Sequence, residues 1–396
     1  MDKIEELLTR GVANIIPSKE ELKKALSSGK KLNVYLGIDP TATRIHLGHS
    51  VILRKLEGFA GLGHNVTFLI GDFTALVGDT SDKDAERPVL TKKQIQENFK
   101  TYKNQAEKIL DFSKVTIRYN SEWLNKLSFP EIIKLAQQFS FGDFASRELI
   151  RKRLDVGKRV GLHEGLYPAM QGYDSYFLDT DVQIGGADQT FNMQAGRILQ
   201  KKWRNKESFI VATEFLMGTD GRKMSKSWGN AIWLDDNPQD MFAKIMAIQD
   251  DLIAQYFILG TNISLEKVAK LKSHLRSNAS PMEIKKELAK IIITELHNTK
   301  DALSAEGNFE KVVQQKEMPQ DIPTHLYEGE KQKNIIDLLT QIGLAESRSQ
   351  AKKLINQGGV TIDGQSTNDS SMQINVENDM IIRVGKRKFI KIKIKR

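Results

Sequence analysis

At 396 residues, 40% of them hydrophobic, the chain can bury a substantial core and is expected to form two or three domains; with no apolar run of bilayer length and no signal pattern, it reads as cytoplasmic. Lacking cysteine, it has no disulfide, thiolate zinc site or cysteine nucleophile, and its seven scattered histidines do not suggest a protein-bound metal. The net charge of +9 is concentrated: residues 331–396 carry 13 Lys+Arg against 6 Asp+Glu and the rest 46 against 44, so a basic tail is expected to meet nucleic acid.

In chain order, residues 5–26 read as one N-terminal helix closed by Ser27-Ser28-Gly29. Leu32 to Ile38 is a buried strand, broken by Asp39-Pro40. Ile52, Leu56 and Phe59 recur at helical spacing up to Gly61-Leu62-Gly63, and Val66 to Gly71 is a second buried strand. Strand, helix, strand within so short a span implies a parallel crossover. Residues 92–155 read as mainly helical around a short strand at 115–118. Strands resume at 181–184 and 209–212, and 238–309 has a charged helical pattern. A linker with Pro319 and Pro323 leads to two short helices, from Asn334 and from Ser347, and to a hairpin signal between Gly358 and Gly364. Residues 390–395 alternate isoleucine with lysine, as a half-buried strand with a basic face does. The patterns predict an α/β fold class: a Rossmann-like parallel-sheet domain over 1–235, a helical domain over 236–320, and a small basic α+β domain over 331–396.

Two motifs carry chemistry. His46-Leu47-Gly48-His49 stands where a strand gives way to a helix, and there backbone N–H groups and the helix dipole favour anions. Gly48 leaves room for an adenine or ribose against the backbone. The two imidazoles can donate to phosphate or ribose oxygens, although a bare His-x-Gly-His is more often a pair of surface histidines. Lys223-Met224-Ser225-Lys226-Ser227 follows Gly218-Thr219-Asp220-Gly221. A glycine-flanked loop of this kind can close over a triphosphate and neutralise charge on leaving pyrophosphate. No Walker A loop or G-x-G-x-x-G offers another nucleotide site. Together, in this order on an α/β frame, the two motifs resemble the signatures of class I aminoacyl-tRNA synthetases.

Further strings narrow the resemblance to tyrosyl-tRNA synthetases of bacterial type. They are Tyr35-Leu36-Gly37-Ile38-Asp39-Pro40-Thr41-Ala42, Gly78-Asp79, Tyr167-Pro168, Gln171-Gly172-Tyr173-Asp174 and Gly185-Gly186-Ala187-Asp188-Gln189. By that resemblance Tyr35 and Asp174 hold the substrate phenol, and Asp79, Tyr167 and Gln171 its ammonium group. Gly37 and Gln189 complete the tyrosine site. Asp39, Gly48, Gly186, Asp188 and Ser225 bind ATP, and Thr41, His46, His49, Lys223 and Lys226 form the catalytic set. Some relatives carry a ribose-bonding side chain where this chain has Leu36, and commonly glycine where it has Asp82; Lys83 and Arg87 are expected to offset that acid as pyrophosphate contacts.

The chemistry agrees. Tyrosine offers a cation at one end and a phenol at the other, so carboxylates belong at both. A site built around a hydroxyl rejects the analogue lacking it. The same resemblance makes ATP a substrate with Mg2+ on its phosphates, tRNA(Tyr) the second partner, and the enzyme a homodimer. It assigns 236–320 to the anticodon side. It likens the tail to a small RNA-binding fold shared with a ribosomal small-subunit protein and pseudouridine synthases, in which Arg348, Lys352 and Lys353 share a helix face toward phosphates. Three rivals fit less well. A tryptophanyl synthetase has no use for a phenol-reading Asp174, a small-molecule adenylyltransferase needs no RNA-binding tail, and a non-catalytic RNA-binding protein would show a damaged ATP motif.

Overall fold

Val34, Tyr35 and Leu36 form an unbroken buried run, the pattern of a strand covered on both faces. In the computed structural model, which describes residues 2–79, 90–276, 280–311, 322–385 and 388–395, that run lies inside a six-stranded sheet. The strands are β1 (Val12–Ile16), β2 (Asn33–Ile38), β3 (Asn65–Ile70), β4 (Val115–Tyr119), β5 (Val182–Gly186) and β6 (Phe209–Thr213). Their order is β1-β6-β5-β2-β3-β4, parallel throughout except for the antiparallel β1–β6 pair. Asp82, Lys83 and Arg87 lie outside the described residues.

The chain steps outward from β2 through β3 to β4, then returns to β5 on the opposite side of β2. In an open α/β sheet, the crevice beyond the carboxyl ends of the two strands at such a reversal is where ligands bind. Those ends are Gly37-Ile38-Asp39 and Gly185-Gly186. Helix α1 (Leu47–Gly61) follows β2, and α2 (Leu162–Phe177) and α3 (Thr190–Arg204) pack along each other. Helices α4 (Pro238–Met246) and α5 (Pro281–Leu296) follow the sheet and pack against each other.

The N-terminal segment corrects the sequence reading. In place of one helix over 5–26 there are a helix at Lys3–Thr9, β1, and a helix at Lys19–Ser27. Gly11 adopts a φ of +61°, which ends the first helix, and Val12, Ile15 and Ile16 bring β-branched stiffness suited to a strand. Tertiary pairing with β6 overrides the helical spacing.

At the start of α2, Arg153 and Glu164 form a buried bidentate pair (3% and 0% side-chain exposure), with Nη1–Oε2 at 2.7 Å and Nη2–Oε1 at 3.0 Å. Glu164 also accepts from Gly161 N, and Arg153 donates to Arg159 O, so the pair closes the loop between them. Arg153→Ala takes two charge-assisted bonds from a buried carboxylate and is expected to cost about 3–5 kcal/mol. A lower urea midpoint would register it. Arg153→Met with Glu164→Leu should regain only part of the loss, because an apolar pair removes both desolvation penalties but takes these partners from Gly161 N and Arg159 O.

Contacts divide the chain into two units, Met1–Ala302 and Leu303–Arg396. The second has a five-stranded sheet in the order β10-β9-β12-β13-β7, built from β7 (Thr324–Tyr327), β9 (Val360–Ile362), β10 (Gln365–Thr367), β12 (Ile381–Val384) and β13 (Lys388–Ile394). A two-stranded ribbon joins β8 (Gln332–Asn334) to β11 (Gln373–Asn375). Helices α6 (Ile335–Gln341) and α7 (Arg348–Asn356) bury Ile335, Leu338, Leu339, Ala351 and Ile355 in one core with the sheet. Among the described residues, no helix is long and apolar enough to cross a membrane.

Candidate active site

A cleft of about 930 Å³ opens at the carboxyl ends of β2 and β5. Every residue expected of the catalytic, ATP and tyrosine sets lines it: Tyr35, Gly37, Asp39, Thr41, His46, Gly48, His49, Asp79, Tyr167, Gln171, Asp174, Gly186, Asp188, Gln189, Lys223, Ser225 and Lys226. Arg348, Lys352 and Lys353 lie in the other unit, all exposed on α7, where Arg348 pairs with Asp337. Leu36 is 1% exposed, in the core. Strand alternation turns it away from the face that Tyr35 and Gly37 share.

One end of the cleft is organised around Asp174, on α2 and 3% exposed. Its Oδ1 accepts from Trp123 Nε1 at 2.7 Å and its Oδ2 from Asn120 Nδ2 at 3.1 Å. Burial is the largest influence on this carboxyl. With Asp39 and Asp72 nearby it outweighs the two hydrogen bonds and pushes the pKa up to about 8. The Tyr35 hydroxyl donates to Gln183 Oε1 at 3.2 Å. Burial, reinforced by Asp174, raises its pKa well above the usual range, so Tyr35 remains a neutral donor.

A hydrogen-bonded chain leads from this end toward the nucleotide motifs. Asn120 Nδ2 also donates to Thr74 Oγ1 at 2.9 Å, and Thr74 donates to Asp39 Oδ1 at 2.7 Å. The other oxygen of Asp39 accepts from Tyr167 OH at 2.9 Å. Gly71 makes this possible, since a Cβ there would fall 1.9 Å from Asp39 Oδ1. Asp79 accepts from Gln189 Nε2 at 2.8 Å, and Gln189 in turn accepts from Asn192.

At the opposite end, His46 caps α1 and its ring centre lies 3.9 Å from that of His49. His49 Nδ1 accepts from His46 N at 3.4 Å. Burial, with the neighbouring imidazole and Lys223 adding to it, lowers the His46 pKa to about 2; burial lowers that of His49 to about 4. Both rings are therefore neutral at pH 7, each with a single N–H to donate, and positive charge in this half of the cleft comes from Arg44, Lys223 and Lys226. Lys223 Nζ donates to Asp188 Oδ2 at 2.9 Å and sits 4.4 Å from the Phe215 ring centre. The depressed histidine values make their contribution to stability one that is present above the ordinary pKa of 6.5 and is lost as pH falls toward 4. The rate of a reaction in this cleft should accordingly be flat between pH 6 and 7 as far as these rings are concerned. A limb centred near 6.5 that disappears in His49→Asn would contradict this.

Residues 27–314 match a family described as tRNA synthetases class I (W and Y), and residues 314–392 one described as Tyrosine--tRNA ligase SYY-like C-terminal domain. The chain is 41% identical to Tyrosine--tRNA ligase of Thermotoga maritima, covering 98% of this chain and 96% of the relative. To that of Carboxydothermus hydrogenoformans it is 43% identical, covering 98% and 97%. It belongs to the tyrosyl-tRNA synthetase family. Among solved structures, the tyrosyl-tRNA synthetase of Archaeoglobus fulgidus complexed with L-tyrosine matches 78% of this chain and 100% of its own, with a TM-score of 0.60 and 25% identity. A C-terminally truncated mitochondrial tyrosyl-tRNA synthetase from Aspergillus nidulans matches with a TM-score of 0.65 over 78% of this chain and 93% of its own. At 21% identity it speaks for the fold alone.

Sequence reasoning missed several residues that line or support this synthetase's cleft. Asn120 and Trp123 hold Asp174, Thr74 links Asn120 to Asp39, and Gln183 accepts from Tyr35. Arg44 and Trp233 also line the wall. One signal was available for Asn120, which directly follows β4 at the carboxyl edge of the sheet. No motif marks the others.

Proposed function

We propose that the enzyme activates tyrosine with ATP to tyrosyl-adenylate and transfers the tyrosyl group to the 3'-terminal adenosine of tRNA(Tyr), releasing AMP and pyrophosphate. The observation that carries this is the buried Asp174 beside Tyr35 at one end of a cleft whose other end holds the histidine and lysine motifs. A hydroxyl-bearing ring fits the first end and a triphosphate the second.

In this reading Tyr35 and Asp174 select the phenol, while Asp79, Tyr167, Gln171 and Gln189 hold the ammonium and carboxyl end. A tyrosine carboxylate oxygen attacks the α-phosphorus of ATP, and the bond to the bridging oxygen breaks to free pyrophosphate. The terminal ribose hydroxyl then attacks the activated carbonyl, losing its proton as AMP departs. No protein nucleophile takes part. Thr41, His46, His49, Lys223 and Lys226 act by placing groups and stabilising charge, while Asp39, Gly48, Gly186, Asp188 and Ser225 seat the nucleotide. Magnesium enters with the phosphates of ATP. Exposed Arg348, Lys352 and Lys353 on α7 meet RNA phosphates, the helices after residue 236 serve the anticodon side, and the enzyme works in the cytoplasm where tRNA is charged.

A homodimer belongs to the same reading. Phe129, Ile133, Phe141, Leu154, Val156 and Leu162 are exposed (74% for Phe129, 69% for Phe141, 81% for Leu162) and come from one stretch of chain. So many exposed large apolar groups suit a second copy better than water. Phe129→Asp with Leu162→Asp should convert the dimer to monomer in light scattering, and an unchanged mass would remove this stretch from the interface.

Exchange of labelled pyrophosphate into ATP, screened over the twenty amino acids without tRNA, tests the core of the proposal. Tyrosine alone should support it. Exchange with tryptophan instead would overturn the roles given to Asp174 and Tyr35.

A further inference from the structure

Asn230 is 3% exposed and lies at the foot of the lysine loop. Its amide makes three bonds, all to that loop. Oδ1 accepts from Ser225 N at 2.9 Å, and Nδ2 donates to Asp220 Oδ1 at 2.7 Å and to Lys223 O at 3.2 Å. Its backbone carbonyl accepts from Thr219 N at 3.1 Å. Gly218 has to be glycine beside it, because a Cβ would stand 2.3 Å from Asn230 Nδ2.

Just downstream the chain is fixed to the histidine motif. Leu47 N donates to Ile232 O at 2.7 Å, Leu234 N donates to Ile45 O at 2.9 Å, and His46 and Trp233 form a β-bridge. Arg44 fastens the same segment, with Nε to Asp235 Oδ1 at 2.7 Å, Nη2 to Asp236 Oδ1 at 3.0 Å, and its guanidinium 4.8 Å from the Trp233 ring centre. Asn230 thus stands at the joint between a segment bonded to His46 and the loop that carries both lysines.

We propose that Asn230 is a positioning residue for adenylate formation: its side-chain amide sets the backbone of residues 220–225 so that Lys223 and Lys226 meet the nucleotide phosphates in register with His46. This rests on the assignment of those lysines to ATP. An amide suits the place because it accepts from an N–H while donating to a carboxylate and a carbonyl; an ionised carboxylate cannot donate, and alanine does neither.

The test compares Asn230→Ala with Lys223→Ala in the full chain, reading tyrosine-dependent pyrophosphate exchange and tyrosine affinity separately. Asn230→Ala is expected to lower kcat for exchange on the order of tenfold to a hundredfold and to raise KM for ATP, with tyrosine affinity within about twofold of the unmodified enzyme. Exchange within twofold would overturn the proposal, provided Lys223→Ala has collapsed it. If Lys223→Ala leaves exchange intact, the assignment of the lysines fails instead. Should Asn230→Ala also lose tyrosine binding, a donor–acceptor exchange decides. Asn230→Asp places two carboxylates together, and adding Asp220→Asn restores one donor–acceptor pair. Recovery of severalfold in kcat from that second change supports the positioning role, and no recovery rejects it.

Discussion

Asp174→Asn should lower tyrosine-dependent pyrophosphate exchange by about two to three orders of magnitude and flatten the pH dependence of stability. The activity loss combines two effects. A hydrogen bond between the largely protonated carboxyl and the phenol is worth about 0.5–1.5 kcal/mol, and a stranded buried donor costs about 1–3 kcal/mol. The second is unavoidable: Trp123 Nε1 and Asn120 Nδ2 both point donors at the carboxylate, so an amide must face one of them with its own N–H. Asn120 cannot readily flip to help, because its Oδ1 already accepts from Phe73 N at 2.9 Å.

The stability effect has a definite sign. The folded-state pKa of Asp174 lies at about 8 against an ordinary 3.8, so the folded protein holds this proton more tightly than the unfolded chain. Stability from that source is full below about 4 and is lost as pH rises toward 8, at up to about 1.4 kcal/mol per pH unit. The asparagine variant has no proton to lose there. Its stability relative to the unmodified enzyme should therefore improve steadily from pH 5 to pH 8 in urea titrations, whatever the offset between them. Parallel curves would mean that Asp174 is ionised throughout in the folded protein.

Lys223→Ala is the second large effect expected: a fall of about 10²–10³ in kcat for exchange with tyrosine affinity unchanged, as for removal of one charge-stabilising donor. Stability should hardly move. The Lys223–Asp188 pair is 42% and 27% exposed, and pairs of that kind contribute about 0–1 kcal/mol. The two numbers separate the roles. A lysine kept for folding would cost stability and spare kcat, whereas one kept for phosphate chemistry does the reverse. Equal weakening of tyrosine binding and of exchange would speak against the ATP assignment.

Both experiments bear on how far the sequence could be read. Strands β2 and β3 were legible because a strand covered on both faces leaves an unbroken apolar run, and two such runs flanking a helical period fix a parallel crossover. The N-terminal segment was not. Residues 5–26 keep a plausible helical spacing, and only pairing with β6 shows that Val12–Ile16 is a strand. The cleft divides in the same way. Residues in strings such as His46-Leu47-Gly48-His49 or Gly185-Gly186-Ala187-Asp188-Gln189 could be named because local spacing carried them, and the fold gathers them at one place. Asn120, Trp123 and Thr74 act through partners 35 to 54 positions away, and single polar residues with distant partners leave no local signature.

Strand β1 has a practical consequence for handling the protein. It covers the outer edge of β6 through residues 12–16, and the segment before it supplies the carbonyls of Leu7 and Arg10 that Lys55 Nζ reaches at 2.6 Å each. Trimming the first seventeen residues would uncover a row of N–H and C=O groups along β6 and remove both carbonyl acceptors of Lys55, a residue 5% exposed in the full chain. Bare sheet edges recruit other chains. A shortened recombinant version would therefore be prone to clump during purification, and affinity tags are better fused where they leave this border undisturbed.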